Sequence, residues 1–384
     1  MIKEIQHLHV NWIDGMKISK NHFIELENAF KDEIRDSFAN SINIFNYGVI
    51  PTETNDGKGL DLEVLNIQGG NIKLRLNYCR AITPAGNRVE IVNTLKIKDV
   101  NFTIESETIN KNSGNLIYDI ILKVEPFNKK AVGQPNPNEN PPRNPYSIAE
   151  YTVSVVPTEQ VNIDNLSINY LKIGRLIGKG DDINIDSSFI PACTSILSNQ
   201  ILIQAFKVLS EDVRNINNNC LRIIQKIYVK NQKSSLAENV KYMSLNLSKH
   251  ITTNYFTFKN FAPHQAPIFM FSEIIKIANI IFYCLETIPE KDKEELINYY
   301  TEWGDLNQGA LESMINDVCF LEYDHNDIRT SLVKIEKFLL NINNLFNKLN
   351  SLDLIGKKKD RDFIVKEEQT STQTKSKKGW SFLD

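Results

Sequence analysis

The sequence lacks the motifs that mark most enzymes. It contains no His-Glu-x-x-His zinc motif, no Gly-x-Ser-x-Gly nucleophile motif and no P-loop. Its net charge of −3 over 384 residues gives no overall attraction to nucleic acid or to an anionic membrane. We therefore expect a protein without catalytic residues, cofactor, bound metal or nucleic-acid partner.

Cysteine is sparse, and its spacing excludes the common disulfide and zinc frameworks. The five cysteines are scattered along the chain in apolar surroundings, and no two have Cys-x-x-Cys spacing. A free cysteine in such surroundings behaves as a small hydrophobic residue. We expect five buried thiols: Cys79, Cys193, Cys220, Cys284 and Cys319.

Long apolar runs are also missing. The first ten residues include Glu4 and have no apolar stretch of the length that a signal peptide needs. The most apolar segment, residues 268–285, contains Glu273 and Lys276 and predicts a buried helix rather than a membrane span. The sequence thus predicts a cytoplasmic protein that does not insert into a membrane.

Short strands dominate residues 46–190. β-Branched and aromatic runs alternate with turns rich in Gly, Asn and Pro, a pattern that predicts an antiparallel β-sandwich. Leu74, Leu76 and Tyr78 alternate with polar residues, so we expect one face of this strand to point inward. Five prolines around residues 134–145 predict a long irregular loop.

Heptad spacing dominates residues 191–352 and predicts a long helical bundle. Apolar residues recur at intervals of four and three, which keeps one seam facing a partner helix. The first such helix would run about 40 Å. The seam could join helices of one chain or of several copies, and its members are Leu202, Phe206, Leu209, Val213, Ile216, Ile223, Ile328, Leu332, Ile335, Leu339, Ile342 and Phe346.

These patterns predict an α+β fold in four parts. An N-terminal segment with one helix (1–45) precedes the β-sandwich (46–190), the helical bundle (191–352) and a flexible tail (353–384). The tail is polar except for its last residues, GWSFLD. Trp380, Phe382 and Leu383 there are either a docking motif on a flexible tether or part of a disordered terminus.

The stretch NWIDGMKISKNHF, residues 11–23, contains the greatest variety of side chains near the start of the chain. Asp14-Gly15 predicts a tight turn, and Ser19 is a candidate N-cap for a helix over residues 20–39 with one apolar face. The stretch either packs locally or forms a protein-binding edge, since Trp and Met are favoured in interfaces. The candidate contact residues are Trp12, Asp14, Gly15, Met16, His22 and Phe23.

Four stretches together resemble TssK, the baseplate subunit family of type VI secretion systems. WIDGMKISKNHF resembles its N-terminal signature, NYGVIP its Tyr-Gly element, SFIPACTSI its junction between sandwich and bundle, and EYDHNDI the start of its last bundle helix. APHQAPIFMFSEIIKIA is a weaker match to its His-Pro helix. The stretches occur in the family's order over residues 10–350.

The resemblance implies a homotrimer without enzymatic activity. It implies an N-terminal β-sandwich related to phage receptor-binding shoulders, a helical bundle, and docking of the sandwich end on a wedge of TssF- and TssG-like proteins. The family's usual C-terminal head domain has no counterpart after residue 352. We therefore expect a divergent member whose link to an envelope or membrane-anchor protein differs, with the tail as the candidate link.

A second interpretation comes from a different class. A β-sandwich followed by heptad helices also fits a phage-like trimeric tail protein that binds a receptor or a carbohydrate. Binding to cell surfaces or glycans would favour that interpretation, whereas binding to wedge proteins in the cytoplasm would favour the baseplate subunit.

Overall fold

A computed structural model describes residues 4–54, 56–67, 71–92, 100–103, 116–161, 168–179, 182–304 and 307–357. Over these residues two antiparallel sheets precede a helical bundle, which confirms the predicted α+β class. The terminal GWSFLD motif lies outside the described residues, so its docking role stays a prediction.

Nine strands form the two sheets in the described residues, and every pairing among them is antiparallel. In the first sheet, β3 lies centrally and pairs with the other four strands; the second sheet has the order β7-β6-β8-β9. The strands are β1 (Gly48–Val49), β2 (Leu60–Ile67), β3 (Asn71–Ile82), β4 (Arg88–Ile91), β5 (Val100–Thr103), β6 (Leu116–Val132), β7 (Tyr146–Pro157), β8 (Tyr170–Lys179) and β9 (Asp182–Ile185).

The two sheets share one apolar core. Ile72 and Leu74 of β3 enter it from the first sheet, and Ile120 and Leu122 of β6 enter it from the second, each exposed by 2% or less. Alternating inward and outward side chains on both sheets are typical of a β-sandwich. The Pro-rich loop spans residues 133–145 between β6 and β7.

A bulge changes which side chains of β3 face the core. Asp61 pairs with Tyr78 and Leu62 pairs with Leu76, so Asn77 is left without a partner in the pairing. Beyond it Cys79 is fully buried, whereas Tyr78 is only half-buried. The prediction that Tyr78 continues the inward row was wrong, because one extra residue reverses the alternation.

Seven helices occur in the described residues. The first covers the range predicted from its periodicity and packs beside the sandwich; the other six follow the sandwich in sequence. They are α1 (Lys20–Ala39), α2 (Gln200–Val229), α3 (Ser235–Phe261), α4 (Ile268–Glu286), α5 (Glu290–Trp303), α6 (Gln308–Cys319) and α7 (Ile328–Ser351).

The heptad seam lies inside the chain. α2 packs against α3 and α7, and all twelve predicted seam residues are exposed by 8% or less. Their role is therefore to join helices of one chain. α4 is long and apolar enough to cross a membrane by composition alone, but half of it is buried against α3, α6 and α7, as expected of a core helix.

Candidate functional site

Three of the four stretches that carry the TssK resemblance, NYGVIP, SFIPACTSI and EYDHNDI, meet at the joint between sandwich and bundle, together with the weaker match APHQAPIFMFSEIIKIA. The Val49 amide donates to the Ala192 carbonyl at 2.8 Å, and the Thr194 amide donates back to the Val49 carbonyl at 2.9 Å. The Ile196 amide donates to the Gln265 carbonyl at 3.1 Å. These bonds tie β1 to the segment before α2, and that segment to the turn before α4.

Gly48 allows this close approach. Its backbone φ of +108° lies in a region that residues other than glycine rarely adopt. A Cβ atom there would lie 2.0 Å from the Ala192 carbonyl oxygen, well inside contact distance. The glycine of NYGVIP is thus required by the packing of the joint.

His325 is buried at the centre of the joint. Its Nε2 lies 2.9 Å from the Tyr47 carbonyl oxygen, which can only accept, so Nε2 carries the proton and Nδ1 accepts from the Tyr323 hydroxyl at 2.8 Å. Burial lowers the pKa of His325 to about 4. Asp324 accepts the Asn326 amide at 2.8 Å in the turn that follows, and α7 begins after Asp327.

The N-terminal stretch lies elsewhere, in an arm formed by residues 4–39. Residues 4–16 run back along α1: the amides of Gln6 and His7 donate to Asp32 Oδ2 at 2.7 and 2.8 Å. Asp32, fully buried, also pairs with Arg35 at 2.6 Å. The polar side of α1 therefore faces the protein, where it holds the first residues of the chain in place.

The apolar side of α1 faces away from the protein. Phe23, Phe30, Ile34 and Phe38 are each exposed by 50–58%; we call these four residues the aromatic strip. A helix on a folded domain usually has the reverse orientation, with apolar residues inward. Other apolar residues of the arm are exposed as well: Ile5, Leu8, Trp12, Ile13 and Ile18, by 44–79%.

The six candidate contact residues form the far end of this arm. Asp14 and Gly15 make the predicted turn, in which Gly15 has a φ of +80° and Met16 is half-buried. The Trp12 ring lies 6.0 Å from the His22 ring and 6.4 Å from the Phe23 ring, between centroids. Trp12 is 44% exposed, so one side of its ring packs locally and the other is open.

No group of three metal-ligating side chains occurs among the described residues. Cys79, Cys193, Cys220 and Cys284 are buried, and Cys319 is half-buried. Burial raises the pKa of the Cys79 thiol to about 12 and of the Cys284 thiol to about 11, which makes both poor nucleophiles.

The fold is similar to that of several solved structures. No family model and no curated protein sequence matches the chain. A chain of the type VI secretion system baseplate complex superimposes with a TM-score of 0.51 and 12% identity, covering 87% of this chain and 99% of that one. A chain of the TssK-TssF-TssG baseplate subcomplex gives 0.50 and 12%, covering 88% and 99%. A crystal structure of TssK gives 0.49 and 15%, covering 86% and 68%.

The chain has the TssK fold. The similarity covers both the sandwich and the bundle, so it includes the joint where four of the resembling stretches meet. Sequence reasoning did not identify the aromatic strip as exposed. The sequence of α1 did contain a hint of this orientation. Asp32 and Arg35 lie on the side opposite the apolar row, and two opposite charges so placed can pair with each other and be buried in place of the apolar row.

Proposed function

We propose that this chain is a non-enzymatic structural subunit of a type VI secretion baseplate, located in the cytoplasm at the inner face of the cell envelope. The observation that carries the proposal is the combination of the TssK fold with an arm whose apolar side faces outward. A structural adaptor needs surfaces for other proteins, and the outward apolar side of the arm offers one.

The arm is the surface that we assign to wedge proteins similar to TssF and TssG. Its nine exposed apolar side chains present roughly 900 Å², at about 100 Å² each. That is close to the area that one partner buries in a standard protein interface, about 800 Å². Trp12 and Phe23 are the candidate anchors, because aromatic residues are enriched in interface cores and Trp is enriched among the residues that contribute most to affinity.

The remaining parts of the proposal concern assembly. We propose a homotrimer whose arms bind the wedge and whose tail reaches an envelope or membrane-anchor protein. The described chain ends at Lys357, beside the turn between α2 and α3, where the Ile355 amide donates to Gln232 Oε1 at 3.2 Å. This is the end of the bundle away from the joint, so the arm and the tail start at opposite ends of the molecule.

Wedge binding tests the proposal directly. The wild-type chain and a Trp12→Ala, Phe23→Ala double variant would be titrated against purified TssF- and TssG-like proteins from the same cell. We expect about 100-fold weaker binding for the double variant, since two interface aromatics contribute about 3 kcal/mol together. Val229→Ala, at the far end of α2 and 78% exposed, is the matched control and should bind as the wild type does.

Two outcomes would contradict the proposal. A folded double variant that binds with undiminished affinity would remove the arm from the wedge contact. A wild-type chain that ignores the wedge proteins and binds cells or glycans would favour the phage-like tail protein instead. Deletion of residues 358–384 tests the tail separately: wedge binding should persist, and recruitment to the envelope fraction should be lost.

A further inference from the structure

The outside of the described bundle has an acidic groove and a basic groove. The acidic groove lies between α2 and α7, has a volume of about 480 Å³, and its charged lining residues are Asp212 and Glu336. The basic groove lies between α3 and α4, has a volume of about 580 Å³, and its titratable cations are Lys249, His250 and Lys276. A segment that carries a net charge should therefore bind one of these grooves and avoid the other.

The acidic groove has an apolar floor between apolar edges. Ala205 and Leu209 of α2 form the floor and are exposed by 5% and 1%. Val208 of α2 and Leu340 of α7 protrude beside them and are exposed by 59% and 53%. Protruding side chains around a small buried residue leave a hole of the kind that holds another apolar side chain. The volume lies within the range of pockets that hold small ligands, roughly 300–1,000 Å³, so the groove has room for an aromatic ring.

Two half-buried carboxyl groups give the groove its charge. Asp212 accepts a hydrogen bond from the Asn343 side chain at 2.8 Å. Glu336 lies 3.7 Å from Arg329. Burial raises the pKa of both carboxyl groups, which shows that neither charge is fully compensated by its surroundings. An occupant of this groove should therefore combine a large apolar side chain with positive charge.

The tail contains a segment of this composition. Residues 375–383, KSKKGWSFL, have three lysines directly before the apolar group of Trp380, Phe382 and Leu383, and one acidic residue, Asp384, follows. Opposite charges attract this segment to the acidic groove, whereas the lysines of the basic groove would repel it. Of the two grooves, charge thus selects the one between α2 and α7.

The tail is long enough to reach the acidic groove. The described chain ends at Lys357, beside the far end of α2, and the groove centres near Ala205, 24 residues before Val229. At about 1.5 Å per residue of helix, the separation is about 36 Å. Trp380 follows Lys357 by 23 residues, which span up to about 76 Å when extended. A tether of this kind gives the segment a local concentration of roughly millimolar, so a weak contact is sufficient.

We propose that residues 375–383 of the tail bind the acidic groove of their own chain. Trp380 fills the space beside Val208, and the lysines before it approach Asp212 and Glu336. The inference goes beyond the proposed function and does not rest on it, since this contact needs neither a wedge protein nor a second copy. A bound tail is withheld from other proteins, so the envelope link proposed above would require the segment to leave the groove.

Disulfide formation in the intact chain tests where the tail binds. Val208→Cys, at the edge of the groove, is combined with Ser381→Cys, and the disulfide is followed by intact mass under mild oxidation. Leu221→Cys with Ser381→Cys is the matched control, because Leu221 is 50% exposed on the same helix and does not line the groove. Leu221 is also about 20 Å closer to the start of the tail, so a tail without a binding site would react faster there.

The expected result is a reversal of that order. The Val208→Cys pair should form a disulfide within one chain at least 10-fold faster than the Leu221→Cys pair. Equal rates, or a faster Leu221→Cys pair, would overturn binding in the groove, and a disulfide found only between two chains would overturn binding within one chain. Ser381→Cys alone should form no disulfide within the chain, since four native cysteines are buried and Cys319 is half-buried.

Charge variants test how the segment is recognised. Asp212→Asn with Glu336→Gln removes both negative charges, keeps the hydrogen-bonding groups, and should slow the Val208→Cys disulfide about 10-fold. Replacement of the three tail lysines by Gln should have the same effect. The two sets together should cost little more than either alone, because they remove one interaction; fully additive effects would show that the lysines and the acids do not meet.

Glu211→Gln is the matched control for the charge variants. Glu211 is next to Asp212 in sequence, is about half exposed, pairs with Arg214 at 2.6 Å and does not line the groove. Its replacement should leave the rate of the Val208→Cys disulfide unchanged. A loss as large as that of the groove variants would mean that the overall charge of α2, rather than the groove, attracts the tail.

The outcomes separate this inference from the proposed function. Trp12→Ala with Phe23→Ala should weaken wedge binding and leave the disulfide rate unchanged, because the arm and the groove use different residues. A chain that ignores the wedge proteins but forms the Val208→Cys disulfide supports the inference and contradicts the baseplate role. A chain that binds the wedge proteins but shows no preference for Val208→Cys over Leu221→Cys does the reverse.

Discussion

Helices α1 and α7 have similar apolar spacing and opposite burial. In α7 the row that includes Ile335, Leu339 and Phe346 is almost completely buried within the chain. In α1 the aromatic strip is half exposed, and Asp32 and Arg35 are buried instead. Periodicity thus identifies a helix with one apolar face, but it does not identify what covers that face. For α7 the cover is the same chain; for α1 we assign it to another protein.

The largest effect is expected when a phenylalanine is replaced in the buried row of α7 and, for comparison, in the exposed strip of α1. Phe346→Ala, in α7, should lower the free energy of unfolding by about 3–5 kcal/mol, because it leaves a cavity in a packed core. Phe30→Ala, in the aromatic strip, should change it by no more than about 0.5 kcal/mol. Urea denaturation of both variants measures the difference. Equal losses would mean that the strip is covered within the chain.

The next effect concerns the joint, whose stability should depend on pH. His325 is buried uncharged with a pKa of about 4, against 6.5 for the free side chain. The unfolded chain therefore binds the extra proton between these values, and the stability due to His325 is lost as pH falls through this window. From pH 7 to pH 5 this amounts to about 2 kcal/mol.

Replacement of the histidine should remove that pH dependence. His325→Gln cannot be protonated, so its free energy of unfolding should fall by about 2 kcal/mol less than that of the wild type between pH 7 and pH 5. His264→Gln is the control, because His264 is exposed to solvent. An unchanged pH profile in His325→Gln would mean that the buried histidine does not govern the stability of the joint.

A smaller effect is expected on the polar side of α1. Asp32→Asn removes the charge that holds the amides of Gln6 and His7 and pairs with Arg35, and should release residues 4–16 at a free-energy cost of about 1–2 kcal/mol. Amide hydrogen exchange at Gln6 and His7 should accelerate about 10-fold or more. Asp36→Asn is the control. Asp36 accepts hydrogen bonds from Arg35 but from no amide of residues 4–16, so its replacement should leave the exchange of Gln6 and His7 unchanged.

The smallest effect is expected at the edge of the arm. Glu27 pairs with Lys129 of β6 at 2.6 Å, but Glu27 is 64% exposed. Exposed ion pairs contribute about 0–1 kcal/mol and are screened by salt. Glu27→Gln should therefore lower the free energy of unfolding by less than about 1 kcal/mol, and about 0.5 M salt should abolish the difference. A larger or salt-independent loss would show that the pair anchors α1.

Local patterns predicted most of the elements. The apolar spacing predicted α1 over its whole range, Lys20–Ala39, and the turn at Asp14-Gly15, because helix faces and glycine turns depend on neighbours in sequence. The inward row of β3 was predicted only as far as Leu76. Beyond that point the outcome depends on a bulge opposite β2, and a partner strand leaves no trace in a single sequence.

The joint could not be predicted in the same way. NYGVIP and EYDHNDI lie about 280 residues apart, and nothing local to either indicates that His325 would donate to the Tyr47 carbonyl. The resemblance identified both stretches without assigning them a role. The structure gives them one: they hold the sandwich to the bundle through the hydrogen bonds of His325 and Val49.

The direct bonding of Val49 to Ala192 and Thr194 has a mechanical consequence. The sandwich passes into the bundle through paired backbone, so a rotation of one is passed to the other. Helix α2 extends 30 residues beyond this point, or about 45 Å. If the two parts turn together, a tilt of about 5° at the sandwich corresponds to a displacement of about 4 Å at the far end of α2.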